Sequence, residues 1–296
     1  MKDHSILLTG VTGQVGWELR RTLAPLGRVV GLDSRALDLA DGQAIRRAVA
    51  ELRPRVIVNP AAYTAVDKAE QEPERARLIN AVAPGILAEA ARGCGAILVH
   101  YSTDYVFDGT KETPYLEDDA THPLNEYGAS KLKGEEAIRA AGVRHLILRT
   151  SWVYGTRGGN FLSTMQRLMR ERPELKIVDD QIGAPTWSRM IAEATAQILA
   201  QCLSPARGAD RPEPWGTYHL TCAGETSWYG FAAAIAEMGQ HATRLTPIPS
   251  ADYPTPARRP ANSRLDNGKL ARVFGLRLPD WREALELCLE QADRPE

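Results

Sequence analysis

A chain of 296 residues with 44% hydrophobic and 25% charged side chains has the composition of an ordinary globular protein and the length for one large core with a smaller one beside it. Its 36 Lys and Arg against 37 Asp and Glu leave a net charge of −1, which argues against a nucleic-acid partner, since such proteins carry a basic stripe. Cys94, Cys202, Cys222 and Cys288 form no Cys-x-x-Cys pair, and no apolar run nears the roughly 18 residues of a membrane span, so a disulfide framework and a membrane are excluded and a cytoplasmic location is expected.

Met1-Lys2-Asp3-His4 leads almost directly into an apolar run at 5–9, the first expected strand, leaving no room for a signal peptide. The next helix keeps Val15, Leu19 and Leu23 on one face and stops at Gly27. A second strand over 29–32 ends at Asp33. Asp41 then caps a helix that carries Ile45, Val49 and Leu52 on one side and closes at Pro54. A third strand covers 56–58, helices fall in 65–82 and 84–92, a fourth strand covers 97–101, a helix 127–141, and a fifth strand 145–148. Beyond Arg149 prolines cluster and strands shorten, and 204–216 reads as an exposed loop. The pattern predicts an α/β protein with a Rossmann-type doubly wound parallel sheet over 1–150. A smaller mixed α/β domain over 151–296 should pack on the carboxyl edge of that sheet, with a boundary that later segments can cross.

Gly10-Val11-Thr12-Gly13-Gln14-Val15-Gly16 follows the first strand and opens the first helix. Glycines there permit a tight turn and let a pyrophosphate approach the free N–H groups of the helix N-terminus. Glycine is common in such turns, but Asp33 at the end of strand two adds a carboxylate suited to an adenosine ribose hydroxyl. Together they predict a dinucleotide site. Asp33 favours NADH, whereas Arg35 could partner the extra phosphate of NADPH, so both cofactors stay open.

Tyr127 and Lys131 are four apart on a helix and share a face. A phenol with a pKa of about 10 is a poor acid at neutral pH, and a neighbouring ammonium lowers it. Ser102-Thr103 at the end of strand four would bring a hydroxyl to the same pocket, which turns a surface Tyr–Lys stack into a candidate proton-transfer site.

These features resemble the short-chain dehydrogenase/reductase superfamily in its extended form, where Asn80 matches a helix asparagine and 148–155 a segment after strand five. Within it, His100-Tyr101-Ser102-Thr103-Asp104-Tyr105-Val106-Phe107-Asp108-Gly109 resembles the dTDP-4-dehydrorhamnose reductase family. So do Ala61-Ala62-Tyr63-Thr64-Ala65-Val66-Asp67, Gln181-Ile182-Gly183-Ala184-Pro185-Thr186 and Pro256-Ala257-Arg258-Arg259-Pro260-Ala261-Asn262-Ser263. Tyr63 departs from the histidine that many relatives have there.

The resemblance implies reduction of a dTDP-4-keto sugar by NADPH or NADH on the path to dTDP-rhamnose and a cell-surface polysaccharide. Thr103 would bond the sugar carbonyl, Tyr127 would donate the proton, and Lys131 would bind the nicotinamide ribose and tune Tyr127. Gly10, Gly13, Gln14, Val15 and Gly16 would hold the pyrophosphate, Asp33 the ribose, Asp38 and Leu39 the adenine, and Ala62, Tyr63 and Thr64 the nicotinamide side. Asp104 and Trp152 would contact the deoxysugar. Arg258 and Arg259 offer guanidinium forks for a diphosphate. Some family members are associated with Mg2+, for which Glu18 would be one ligand; Arg189 stands where a second is expected, and no catalytic metal is predicted. A homodimer is left open. The rivals are a dehydratase or epimerase on the same scaffold and a non-catalytic subunit of a methionine adenosyltransferase. Thr103 is followed by Asp104-Tyr105 without the Glu a dehydratase needs, and a binding-only protein has no use for Thr103, Tyr127 and Lys131 together.

Overall fold

The apolar runs of the first half become strands because helices cover both of their faces. The computed structural model describes residues 5–204 and 213–292. It begins with β1 (Ser5–Leu8), α1 (Gln14–Thr22), β2 (Arg28–Gly31), α2 (Gly42–Leu52) and β3 (Val56–Asn59). Next come α3 (Val66–Ala69), α4 (Pro73–Arg77), α5 (Ala83–Cys94), β4 (Ile97–Thr103), α6 (Glu126–Ala140) and β5 (His145–Thr150). The two helices expected over 65–82 and 84–92 are divided differently. A π turn, Leu78–Val82, joins α4 to α5 and carries the helix through Pro84. Pro84 has no N–H to give, and a widened turn just before it accommodates that gap.

The second half supplies β6 (Val153–Tyr154), α7 (Phe161–Glu171), β7 (Glu174–Val178), β8 (Ile182–Gly183), β9 (Thr186–Trp187) and α8 (Ser188–Leu203). It ends with β10 (Gly216–His219), β11 (Thr226–Ser227), α9 (Trp228–Met238), β12 (Arg244–Ile248), α10 (Gly268–Phe274) and α11 (Trp281–Ala292). Most of the proposed 204–216 loop lies outside the described residues.

The main sheet has the order β10-β5-β4-β3-β1-β2, and every pair in it is parallel. Alternate residues face opposite layers, as the two-residue period of a strand requires. Ile6, Leu8, Val58, Val99 and Leu148 pack with Leu19 of α1, Ile191 and Ile198 of α8 and Phe274 of α10. Leu7, Ile57, Leu98 and Ile147 point the other way, onto Ile45 of α2, Leu87 of α5 and Ile138 of α6. A third core, with Met165, Ile177, Phe231 and Leu285, lies under the second half. Strand β1 has β2 on one side and β3, reached from β2 through α2, on the other, so the strand order reverses there and a crevice opens at their carboxyl ends, where open α/β sheets bind ligands. No disulfide joins Cys94, Cys202, Cys222 or Cys288. Among the described residues no helix is long and apolar enough to cross a membrane.

Candidate active site

A cleft of about 550 Å³ occupies that crevice. Gly10 enters the turn at φ +56°, and Gly16 faces it so closely that a Cβ on Gly16 would lie 2.1 Å from the Gly10 carbonyl oxygen. No side chain caps the start of α1, so its first N–H groups remain for a ligand. The Gln14 Oε1 and Thr150 Oγ1 atoms on the cleft wall are buried without a partner. An uncapped helix start, a tight glycine turn and unpaired polar atoms fit the phosphates and amide of a dinucleotide.

The cleft brings together Gly10, Gly13, Gln14, Val15, Gly16, Asp33, Asp38, Leu39, Ala62, Thr64, Tyr127 and Lys131. Asp33 holds its turn by accepting the N–H groups of Arg35 and Ala36 through Oδ1; the Arg35 side chain is exposed and outside the lining. Arg75, which carries no motif, lines the cleft instead, together with Thr9, Thr12 and Gly158. Tyr63 does not join the lining. Its phenol donates to Glu72 at 2.8 Å, while its backbone N–H and C=O are both bonded by the Asn80 carboxamide. Asn80 in turn donates to Ser130 Oγ, tying the π turn to α6.

Asn125 caps α6 by accepting the Gly128 N–H, which sets the rotation of the helix that carries Tyr127 and Lys131. Burial pushes the Tyr127 phenol up to about 12, with the Thr103 hydroxyl pulling the other way and the Asp104 carboxylate adding to the rise. The phenol therefore stays protonated at neutral pH. Lys131 is directed to the Tyr101 carbonyl oxygen, 2.6 Å away, and lies 3.2 Å from His100 Nε2. Burial pulls its ammonium down to about 8 against the opposing charge of Glu135.

Thr103 ends β4 and accepts the Tyr105 N–H, while its own proton goes to Asp104 Oδ1 at 3.0 Å. Burial raises the Asp104 carboxyl to about 6, with the hydroxyls of Ser263 and Thr103 acting against it. Trp152 sits at φ +48° and stacks on Trp228 with ring centroids 3.7 Å apart.

A second cavity, about 720 Å³, lies between α7, β7 and the 248–259 segment, with Phe161, Trp228 and Tyr253 on its walls. Arg259 lines it and is paired through Nη1 and Nη2 to the two carboxylate oxygens of Asp67, at 3.1 and 2.8 Å. Arg258 is not brought there: its side chain is exposed, and its carbonyl accepts from Asn125. Tyr105 has its ring edge-on to Tyr127 at 5.8 Å and its phenol within the fields of Arg259 and Asp67. Among the described residues no group of three or more His, Cys, Asp or Glu is placed to hold a metal ion. Glu18 is buried, and Arg189 bonds Glu193 and Gln291.

Residues 4–294 match the family model described as the RmlD substrate binding domain. A dTDP-4-dehydrorhamnose reductase of Burkholderia thailandensis is 52% identical, over 96% of this chain and 97% of that protein. The crystal structure of such a reductase from Clostridium acetobutylicum superposes with a TM-score of 0.92 at 36% identity, covering 98% of this chain and 100% of that one. One from Bacillus anthracis, solved in complex with NADP, gives 0.90 at 35% identity with the same coverage. The chain belongs to the dTDP-4-dehydrorhamnose reductase family.

Proposed function

We propose that this protein reduces the 4-keto group of dTDP-4-dehydro-L-rhamnose to give dTDP-L-rhamnose, using NADPH or NADH. The observation that carries the reading is Tyr127, protonated and half-buried, on the cleft wall beside Lys131 and next to the Thr103 hydroxyl. The nicotinamide supplies a hydride when bound. The glycine turn and the α1 N-terminus would hold its pyrophosphate, Asp33 its adenosine ribose, and Lys131 the ribose nearest the chemistry. Tyr127 gives its proton to the carbonyl oxygen as negative charge grows there, which is the role of a positioned general acid. Thr103 turns its proton from Asp104 toward the same oxygen and adds a second donor to the oxyanion.

The sugar nucleotide would lie in the second cavity, its base against Phe161, Trp228 and Tyr253, with Trp152 and Asp104 toward the deoxysugar. Arg259, already neutralised by Asp67, would serve the diphosphate by exchanging or sharing that partner. Binding energy from this remote part orients the reacting carbon. In this reading 1–150 forms the cofactor domain and 151–296 mainly the sugar-nucleotide domain, with α8, β10 and α10 lent back to the first.

The test follows nicotinamide absorbance with dTDP-4-dehydro-L-rhamnose, offering NADH and NADPH in parallel. Tyr127→Phe should lose roughly 10²-fold or more in kcat while cofactor binding persists. Unchanged turnover in that variant refutes the assignment of the proton donor.

A further inference from the structure

Behind Lys131 runs a buried polar chain that the reaction as described does not use. Thr9 Oγ1 lies 2.6 Å from Asn59 Oδ1, Asn59 Nδ2 lies 3.1 Å from His100 Nδ1, and His100 Nε2 lies 3.2 Å from Lys131 Nζ. Asn59, His100 and Lys131 are all at most 2% exposed. Thr9 and Lys131, the two ends, both line the cofactor cleft. Burial and the Lys131 charge keep the imidazole neutral, so it carries one ring proton and one bare nitrogen.

We infer that His100 is a positioning residue: its bare Nε2 accepts from the Lys131 ammonium, and Asn59 fixes the imidazole tautomer that makes this possible. The inference rests on the reading of Lys131 as the cation of the reductive site. An ammonium has three N–H groups and no lone pair, so the atom facing it must be an acceptor. The ring proton then belongs on Nδ1, and Asn59 must answer it with Oδ1. A half-turn of the carboxamide achieves this and leaves Nδ2 to donate to Thr9 Oγ1. The Thr9 proton is then free to point into the cleft. With the Tyr101 carbonyl holding a second N–H, the third is left for the cleft, where the ribose would be.

The opposite polarity, with Nε2–H facing Lys131 and Asn59 Nδ2 facing a bare Nδ1, requires an uncharged Lys131. The direction of the chain therefore follows the charge of Lys131. The other titratable groups near that ammonium are Glu135 one turn along α6 and Tyr127 one turn back; Tyr101 of β4 offers its carbonyl and turns its phenol to the other face of the sheet. Glu135 is itself held by Arg149 of β5 and by Arg139; the Tyr101 phenol is bonded to Thr195 of α8. Strand β3 offers only the uncharged Asn59.

The imidazole nitrogens report the polarity directly. In the ¹⁵N spectrum of the full chain without substrate, at roughly pH 6.5, His100 should carry its proton on Nδ1. It should exchange to Nε2–H as pH rises through the Lys131 value of about 8, while remaining neutral throughout. An Nε2–H tautomer at the lower pH overturns the inference. In turnover, His100→Gln can still set an amide oxygen near the Nε2 position, whereas His100→Asn reaches only the Nδ1 position. The glutamine variant should stay within about threefold of the parent kcat, and the asparagine variant should fall about tenfold. In the asparagine variant the alkaline limb should also move to lower pH, because the ammonium has lost an acceptor. An unmoved limb in His100→Asn overturns the inference as well. Failure of the parent protein to reduce the ketosugar would sink the proposed function, and the substrate-free spectrum would still decide the hydrogen-bond assignment.

Discussion

Replacing Arg149 with Met removes the cation from a pair that has no water to turn to. Arg149 meets Glu135 in a two-pronged contact, Nε to Oε1 at 2.9 Å and Nη2 to Oε2 at 2.7 Å, with side chains 3% and 0% exposed. Burial pushes the Glu135 carboxyl up, but the hydrogen bond and charge of Arg149 outweigh it and hold the group below its ordinary value. In Arg149→Met the carboxylate keeps the ion pair with Arg139, at 3.1 Å and half-exposed, the Ser102 hydroxyl and the more distant charge of Lys131. Breaking one side of such a pair costs about 3–5 kcal/mol, which in a chain of this size lowers the melting temperature by roughly 5–8 °C. Replacing both partners with groups of similar shape, Glu135→Gln with Arg149→Met, should recover most of that loss. The sign with pH follows from the lowered folded-state value. The pair contributes fully above the unfolded carboxyl value of 4.5, and its contribution fades as pH falls through the folded one. The assay is thermal unfolding of the parent, both single variants and the double variant at pH 7 and below pH 4. Additive single losses at pH 7, or a penalty for Arg149→Met that persists unchanged in acid, would refute the reasoning.

Asp104 has the opposite sign. Its folded-state value is raised from 3.8 to about 6, so stability is lost as pH climbs through that window, and Asp104→Asn should gain on the order of 2–3 kcal/mol above it and nothing below pH 4. Urea unfolding at pH 8 and pH 3.5 checks this. A methyl on Gly16 would lie 2.1 Å from the Gly10 carbonyl oxygen. Gly16→Ala should therefore weaken NADPH binding by roughly tenfold or more, measured by nucleotide fluorescence titration, while the second cavity keeps its geometry.

The cofactor cleft was legible because its residues sit where regular structure must end. The glycine turn joins β1 to α1, Asp33 closes β2, and Tyr127 and Lys131 share one helix face. The side-chain directions were less legible. Nothing in the pattern of residues 61–67 says that Asn80 would seize both backbone groups of Tyr63 and leave its phenol to Glu72. Two adjacent arginines look equivalent as sequence, yet the Asp67 carboxylate, nearly two hundred residues earlier, selects Arg259 and leaves Arg258 in solvent. Spacing placed a cation beside Tyr127, but the carbonyl of Tyr101 and the ring of His100 decide where that cation points. The π turn at 78–82 escaped a reading based on a 3.6-residue period, because its extra residue breaks the very period being sought.

The late arrival of β10 bears on how the chain is made. Thr217 of β10 pairs with Ile147 of β5, 70 residues earlier. During synthesis, β5 leaves the ribosome with one edge unsatisfied and must wait for α7, β7 and α8 before its neighbour exists. An open parallel edge is a template for pairing with another nascent copy, so the interval between residues 150 and 219 is the period of greatest exposure to misassembly. A fragment ending near residue 150 would keep the glycine turn, Thr103, Tyr127 and Lys131, yet it would lack both the strand that closes its sheet and the α8 face that covers Leu19 and Val99. Such a fragment should appear as aggregate rather than as a small nucleotide-binding protein.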